Sequence, residues 1–261
     1  DVAVRPLVAV FLPDRLELVK GAPAGRRAHL DQLVAALWPA RQDTRIAYTR
    51  ALAQRNALLA RVRAGAAPER ALDAWDAELA RHGAALMRDR ASAVDLLAEA
   101  FARLAAELGL PEPAAIAYRP RAQAADADGL RAELAERRAA DLQRGFTDHG
   151  PHRDDVALLH GGRPLRAYGS QGQQRLALLA LLFAEREVLL AERGHAPLML
   201  LDDVMSELDA ARRERLVDLV RSSGQALVTA TDRDHVPGAD EADVATIAVV
   251  GGSPALAEAG R

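Results

Sequence analysis

The chain has 261 residues, half of them hydrophobic, and a formal net charge of −3, which suits one large domain or two small ones. That charge excludes a globally basic nucleic-acid binder but leaves room for local phosphate-binding patches. The absence of cysteine excludes a disulfide framework and any Cys-based metal site. The longest apolar run, Leu176 to Ala184, is far too short to span a membrane. The first residues lack the basic region and long apolar run of a signal peptide.

Val2 to Phe11 is β-rich and predicts a strand ending at Pro13. A Gly/Pro loop (Gly21, Pro23, Gly25) leads into a helical region, Arg26 to Arg63, broken near Trp38-Pro39. Glu69 to Leu108 is a second long helical region. Its apolar stripe runs through Leu72, Trp75, Leu79, Leu86, Val94, Leu97 and Phe101, and Gly109 and Pro111 stop it. Ile116 to Tyr118 predicts a short strand, and Gly129 to Arg144 a charged helix.

After Gly145 the pattern changes to short strands (Val156 to Leu159, Pro164 to Tyr168) and an apolar helix (Gln171 to Ala191). A strand (Leu198 to Leu201), a helix (Glu207 to Val220) and two more strands (Ala226 to Ala230, Val244 to Val250) follow. Alternating strands and helices predict an α/β layer with parallel pairing. The tail Gly251 to Arg261 is rich in small residues and is expected to fray. Residues 1–145 thus form a strand and a mostly helical lobe, and residues 146–261 the α/β part.

Three segments carry chemistry. The run Leu198-Met199-Leu200-Leu201 reads as a strand buried on both faces, and it ends in Asp202-Asp203. Ligands of open α/β sheets sit at the carboxyl ends of strands. One acid there can hold Mg²⁺ and a second can orient an attacking water. An ordinary Asp-Asp turn fits the same residues. Next, Ser206-Glu207-Leu208-Asp209 fits a helix-capping pattern and, by itself, no more than that.

The third segment is Tyr168-Gly169-Ser170-Gln171-Gly172-Gln173-Gln174-Arg175. Ser170 and Gln173 have capping-box spacing. Gly172 costs about 1 kcal/mol against Ala in a helix, and glycine permits close approach of another group. A helix N-terminus with free N–H groups suits a phosphate.

Ser-x-Gly-Gln at a helix start, then an apolar strand ending in two acids, then Ser-x-Leu-Asp, resembles the signature motif, Walker B strand and D-loop of ATP-binding-cassette ATPases. The wording is similar to the RecF family within their SMC-like branch. The family marks are Gly150-Pro151-His152-Arg153-Asp154-Asp155, Gly169 to Arg175 and Leu200 to Asp209. Phe11-Leu12-Pro13-Asp14, Lys20-Gly21-Ala22-Pro23, Arg26-Arg27, Leu30-Asp31 and Gln54-Arg55-Asn56 match as well, so the resemblance spans roughly residues 4 to 235.

The resemblance implies a cassette-type P-loop NTPase head with a helical second lobe, incomplete at its amino terminus. It implies Asp202 as the Mg²⁺ acid and Asp203 as the acid that polarises the hydrolytic water. Ser170, Gln171, Gly172 and Gln173 would meet the γ-phosphate of ATP held by an opposite subunit, with Asp209 at that seam. No switch role falls on His235, which lies four residues too late, and Thr231 is a weak candidate. The phosphate loop G-x-x-x-x-G-K-[ST] is absent, and the only lysine, Lys20, sits in no such pattern. The chain is therefore expected to be the carboxyl-terminal part of such a protein, inactive alone.

The implied activity is an ATP-dependent homodimer that clamps DNA near single-strand/double-strand junctions and gaps, acting in repair, replication and the SOS response with other recombination mediators. No membrane partner and a cytoplasmic location are implied. A nucleotide-binding subunit of another cassette class, an SMC-type structural head and a non-catalytic fragment are the alternatives. The Gly150–Asp155 segment with His149 matches no zinc spacing and reads as a turn feeding a strand. Arg26 to Arg63 carries eight arginines against two aspartates, a formal +6. That is either an arginine-lined, sequence-indifferent DNA contact or a set of solvated helix faces.

Overall fold

Four consecutive apolar residues, Leu198–Leu201, form the central strand of a parallel sheet, which supplies backbone partners on both edges. The computed structural model describes residues 7–250 and 253–256. In chain order, β1 (Val8–Phe11) leads to α1 (Glu17–Lys20), α2 (Pro23–Leu37), α3 (Gln42–Arg63) and the long α4 (Leu72–Glu107). Then come β2 (Ala114–Arg119), α5 (Ala127–Glu136), α6 (Arg138–Arg144), β3 (Asp155–His160), β4 (Arg163–Pro164), α7 (Leu165–Tyr168) and α8 (Gln171–Arg193). The last elements are β5 (Leu198–Leu201), α9 (Ala210–Arg221), β6 (Ala226–Val228), β7 (Ile247–Val250) and β8 (Ser253–Leu256).

The expected parallel layer is the sheet β1-β5-β6, with Phe11 opposite Leu201 and Leu201 opposite Val228. An antiparallel sheet, β2-β3-β4, and the hairpin β7-β8 stand beside it. One large core joins α8, the second half of α4, α2 and both larger sheets; a smaller one joins α3, the first half of α4 and α5. Residues Leu176 to Ala184 of α8 are all buried, as a helix apolar all round must be. Among the described residues, no helix is long and apolar enough to cross a membrane.

Several boundaries differ from expectation. Of the strand expected over Val2–Phe11, only Val8–Phe11 is extended and paired; residues 1–6 lie outside the described residues. Pro164–Tyr168 is not a strand. The turn Gly161-Gly162 allows two residues of pairing, and Pro164 then precedes the helical turn α7 that buries Leu165. The helix expected from Glu207 starts at Ala210. Asp209, not Ser206, is its N-cap, accepting from the Arg212 N–H at 2.9 Å. The strand expected over Val244–Val250 begins at Ile247, and that over Ala226–Ala230 ends at Val228. Gly129–Arg144 is two helices, α5 and α6, meeting at Arg137. Ser253–Leu256, in the tail expected to fray, pairs with β7, and the rest of that tail lies outside the described residues.

The Gly150–Asp155 segment is a buried junction between the helical and sheet parts. Gly150 has φ +126, and a Cβ there would come 2.9 Å from the Tyr48 hydroxyl, so glycine is required. The His152 ring sits between the Tyr48 hydroxyl (2.7 Å) and the Thr147 carbonyl (2.9 Å). Burial holds its pKa below the usual value, which keeps the ring neutral, able to accept from Tyr48 and donate to Thr147. Asp154 is fully buried and accepts from the Tyr118 hydroxyl, the Arg121 N–H (2.7 Å) and Arg90 (3.4 Å). Burial, with the Asp154 charge second, raises the Tyr118 hydroxyl well above its ordinary pKa, so it stays a donor. Arg27 donates to the Asp154 carbonyl at 2.7 Å, and Arg26 grips Asp155 bidentately at 2.8 and 3.1 Å.

Five of the eight arginines of Arg26–Arg63 have partners within the fold, while Arg50, Arg61 and Arg63 are exposed. Arg26 and Arg27 serve the junction, Arg41 pairs with Asp89 while its guanidinium lies over Trp38, and Arg45 pairs with Asp31. Arg55 is 0% exposed and donates to Asp76 (2.6 Å), Asp141 (2.7 Å) and Thr147 Oγ1 (2.7 Å). It ties α3 to α4, α6 and the loop before the junction. Removing one partner of such a buried pair strands the other charges. Arg55→Met is expected to cost about 3–5 kcal/mol in urea unfolding. A loss below about 1 kcal/mol, the value of an exposed pair, would show that the network is dispensable.

Candidate functional site

Strand β5 delivers Asp202 and Asp203 to the carboxyl edge of the parallel sheet. The Asp202 N–H still donates to the Phe11 carbonyl at 3.0 Å, so the ladder holds the backbone up to the first acid. At Asp203 the chain turns with φ +47, the only non-glycine in the left-handed region among the described residues. Strain of this kind persists where surroundings over-determine it, commonly at functional sites.

Thr229, just past β6, supplies that over-determination. Its N–H donates to the Leu201 carbonyl at 2.9 Å. Its Oγ1 donates to Asp202 Oδ1 at 2.6 Å and accepts from the Asp203 N–H at 3.0 Å. One hydroxyl therefore fixes both acids. The Ser206 hydroxyl closes the turn from the other side, donating to the Asp203 carbonyl at 3.0 Å. Asp203 Oδ1 is buried with no hydrogen-bond partner. A buried carboxylate oxygen without a donor is costly, so the site is arranged for a group that the chain itself does not provide.

A cavity opens beside these acids. Leu16, Leu178 and Leu208 form apolar wall, and Arg175, Asp202, Asp203 and Glu207 are its polar groups. Arg175, on the first turns of α8, pairs with Glu207 at 2.5 Å. Its hydrogen bond and charge hold the Glu207 carboxyl below the usual range.

The start of α8 carries the expected capping box: Gln173 N–H donates to Ser170 Oγ (3.2 Å), and Ser170 N–H to Gln173 Oε1 (2.8 Å). Gln174 is buried and donates to the carbonyls of Leu165 and Gly169, both at 3.1 Å. The loop before the helix is thereby clamped to it. Ser170, Gln171 and Gly172 are exposed. A Cβ built on Gly172 would meet nothing within 4 Å. No contact among the described residues requires this glycine.

The sequence-expected residues fall into two groups. Asp202 and Asp203 converge at the sheet edge, where the Arg175–Glu207 pair ties α8 to the loop after β5. Ser170, Gln171, Gly172 and Gln173 form the free end of that helix. Asp209 is exposed, capping α9 and pairing with Arg212 at 3.0 Å. Thr229 and Arg175 were not singled out from sequence. A Thr directly after an apolar strand parallel to the acid-bearing one is a weak signal, and Arg175 read only as the end of a motif. Thr231 and His235 lie outside this hydrogen-bonded set.

Carboxylate oxygens are the donors that Mg²⁺ takes from protein, one or two at a time, with waters and phosphates completing its shell. Asp202, with one oxygen left free by Thr229, and the orphaned Asp203 Oδ1 fit that requirement. Among the described residues no group of three or more His, Asp or Glu could form an all-protein cage.

The RecF/RecN/SMC N-terminal domain family matches residues 51–250. A Myxococcus xanthus protein named DNA replication and repair protein RecF is 42% identical over 261 residues, covering 95% of this chain and 68% of its own length. This chain belongs to the RecF family. A RecF relative from Herpetosiphon aurantiacus is 41% identical over 231 residues, covering 87% of the chain and 60% of that relative. The chain thus spans about 60–68% of the length of these relatives.

A structure described as the recombination mediator protein RecF-ATP in the RecFOR pathway superposes with TM-score 0.79 at 30% identity, covering 87% of this chain and 63% of that one. An Smc head domain from Pyrococcus furiosus superposes with TM-score 0.50 at 16% identity, over 96% of this chain and 61% of that one, which speaks to fold alone. The α/β architecture with its helical lobe is that of the RecF/SMC ATPase head.

Because Gly172 is helical and sterically free, Gly172→Ala is expected to raise the unfolding free energy of this chain by about 0.5–1 kcal/mol. Thermal or urea unfolding reads this directly. A destabilised variant would show instead that the glycine serves the fold.

Proposed function

We propose that the start of α8, with Asp209, is the trans-acting part of an ATP sandwich, and Asp202 and Asp203 the acids for metal and water, in a DNA-clamping ATPase of repair and replication. The observation that carries this reading is the pairing of a pre-shaped acid turn at the sheet edge with a rigid, open helix N-terminus at Ser170. In the proposed assembly, the free N–H groups of Gln171 and Gly172 and the Ser170 hydroxyl face the γ-phosphate of ATP on a second subunit. The helix dipole and backbone donors suit that charge. Gly172 lets the phosphate come close, Gln173 keeps the cap rigid, and Asp209 lies at the seam between subunits.

On this reading Asp202 would hold Mg²⁺, which neutralises phosphate charge when bound. Asp203, its backbone fixed by Thr229 and Ser206, orients and accepts a proton from the attacking water through its unpartnered oxygen. Proton abstraction and positioning of this type are the main protein contributions to phosphoryl transfer. The nucleotide's own phosphate loop is not among these residues, so this chain alone is proposed to be inactive. ATP-dependent closure of two heads would clamp DNA at single-strand/double-strand junctions and gaps with low sequence specificity, and hydrolysis would release it. Other recombination mediators are the proposed partners, with a role in the SOS response and a cytoplasmic location. Support comes from the family membership and from the RecF structure described with ATP. A non-catalytic binding module remains the second reading, favoured by the absence of a phosphate loop from the sequence.

The test uses a protein that joins these residues to a phosphate loop. Asp203→Asn is expected to slow ATP hydrolysis by roughly 10²-fold or more, the scale of a lost general base, while ATP affinity stays unchanged. Ser170→Arg is expected to abolish ATP-dependent dimerisation in sedimentation. Normal turnover by the first variant, or normal dimerisation by the second, would remove the corresponding role.

A further inference from the structure

Several arginines of the helical lobe, Arg26, Arg55 and Arg90 among them, are neutralised inside the fold, but the C-terminal end of α6 is arranged differently. Gly145 ends α6 with φ +83 and turns the chain so that Phe146 emerges 41% exposed, outside both hydrophobic cores. Arg63, at the last turn of α3, lies against Gly145; a Cβ there would come 2.8 Å from its Nη1. The Arg153 guanidinium stands over the Phe146 ring, 5.6 Å from its centroid, and pairs with Asp148 at 3.0 Å. Arg63 and Arg144 are exposed, and neither has a carboxylate partner among the described residues.

The segment is rigid despite its exposure. Thr147, the next residue, is buried; its N–H and hydroxyl donate to Asn56 Oδ1 at 2.8 and 2.7 Å, and its hydroxyl accepts from Arg55. An apolar ring is thus held out in water by a loop anchored in the core, with the Arg153 guanidinium over it, Arg63 against the preceding Gly145 and Arg144 two residues before it in the chain.

We propose that Phe146, with Arg63, Arg144 and Arg153, is a stacking platform for single-stranded nucleic acid. The arginines take backbone phosphates, and an unpaired base lies on the ring. Aromatic faces flanked by cations bind single strands without sequence preference because every base offers a π-face. Duplex bases are stacked on each other and cannot use the ring, so the duplex would gain only the arginines. The proposal rests on the reading that this protein acts on DNA, and it assigns one contact of that action.

The experiment measures fluorescence anisotropy of the 261-residue chain with labelled oligothymidine, an abasic strand of equal length and a duplex of equal length. Phe146→Ala is expected to weaken oligothymidine binding roughly tenfold, the scale of one lost base stack, and to leave duplex binding unchanged. Phe146→Trp is expected to retain it. Arg144→Gln is expected to lower the salt slope of single-strand binding by about one phosphate contact. The abasic strand should bind the wild-type chain as weakly as oligothymidine binds Phe146→Ala. Unchanged oligothymidine binding by Phe146→Ala overturns the platform and leaves the DNA reading standing. An equal loss on the abasic strand also overturns it, reassigning the surface to an acidic partner. Failure of the wild-type chain to bind any of the three strands removes the platform and the DNA contact together. Phe146 and Arg144 are both exposed, and circular dichroism melts are the check that each variant folds.

Discussion

The arrangement depends on satisfying one buried charge, the Asp154 carboxylate. A carboxylate removed from water must be met by donors or it destabilises the fold by several kcal/mol. Its donors come from separate elements: Arg90 from α4, the Tyr118 hydroxyl from β2, and the Arg121 N–H just beyond β2. Arg90 is itself held bidentately by Asp31 of α2, at 2.8 and 3.1 Å. Three elements, α2, α4 and β2, are therefore fixed relative to β3 by one side chain and its immediate partners. Because α8 packs along α4 and α2 in the same core, the helix that presents Ser170 inherits that fixed orientation.

The site at the other end of α8 follows from this rigidity. A helix N-terminus is useful to a phosphate only if it does not move when the charge arrives, since preorganised dipoles avoid reorganisation at the moment of reaction. Gln174 and the capping box hold the loop, and the apolar body of α8 holds the helix. The acids are preorganised by another route. Thr229 reaches from a neighbouring strand to grip both through one hydroxyl, and the strained backbone at Asp203 is the consequence. The Arg175–Glu207 ion pair joins the two parts, so displacing the helix end would be felt in the loop after β5.

Elements defined by local signals were legible in the sequence. The capping box at Ser170 and Gln173, the apolar strand β5 and the break of the helical region at Trp38-Pro39 depend on residues adjacent in the chain. Strand β5, expected to be buried on both faces, nevertheless buries only Met199 and Leu201, while Leu198 and Leu200 are half-buried. What distant partners decide was not legible. Arg26 and Arg55 look like surface charge until Asp155, Asp76 and Asp141 are brought to them. The start of α9 moved because two candidate caps, Ser206 and Asp209, lie three residues apart. The structure uses the hydroxyl of the first to close the acid turn and the carboxylate of the second to cap the helix. Tyr118 and Thr229 carry no motif at all, and only the pairing of their strands shows which acids they serve.

The central claim is that this chain holds a finished trans surface for a nucleotide bound by another subunit. Mixing is the most direct test: this chain, with a family member that carries a phosphate loop but whose own signature serine is replaced by arginine, followed by light scattering after size exclusion. The account predicts a one-to-one complex that forms with ATP and Mg²⁺ and disperses without nucleotide. No complex with ATP, or the same complex in its absence, would contradict it.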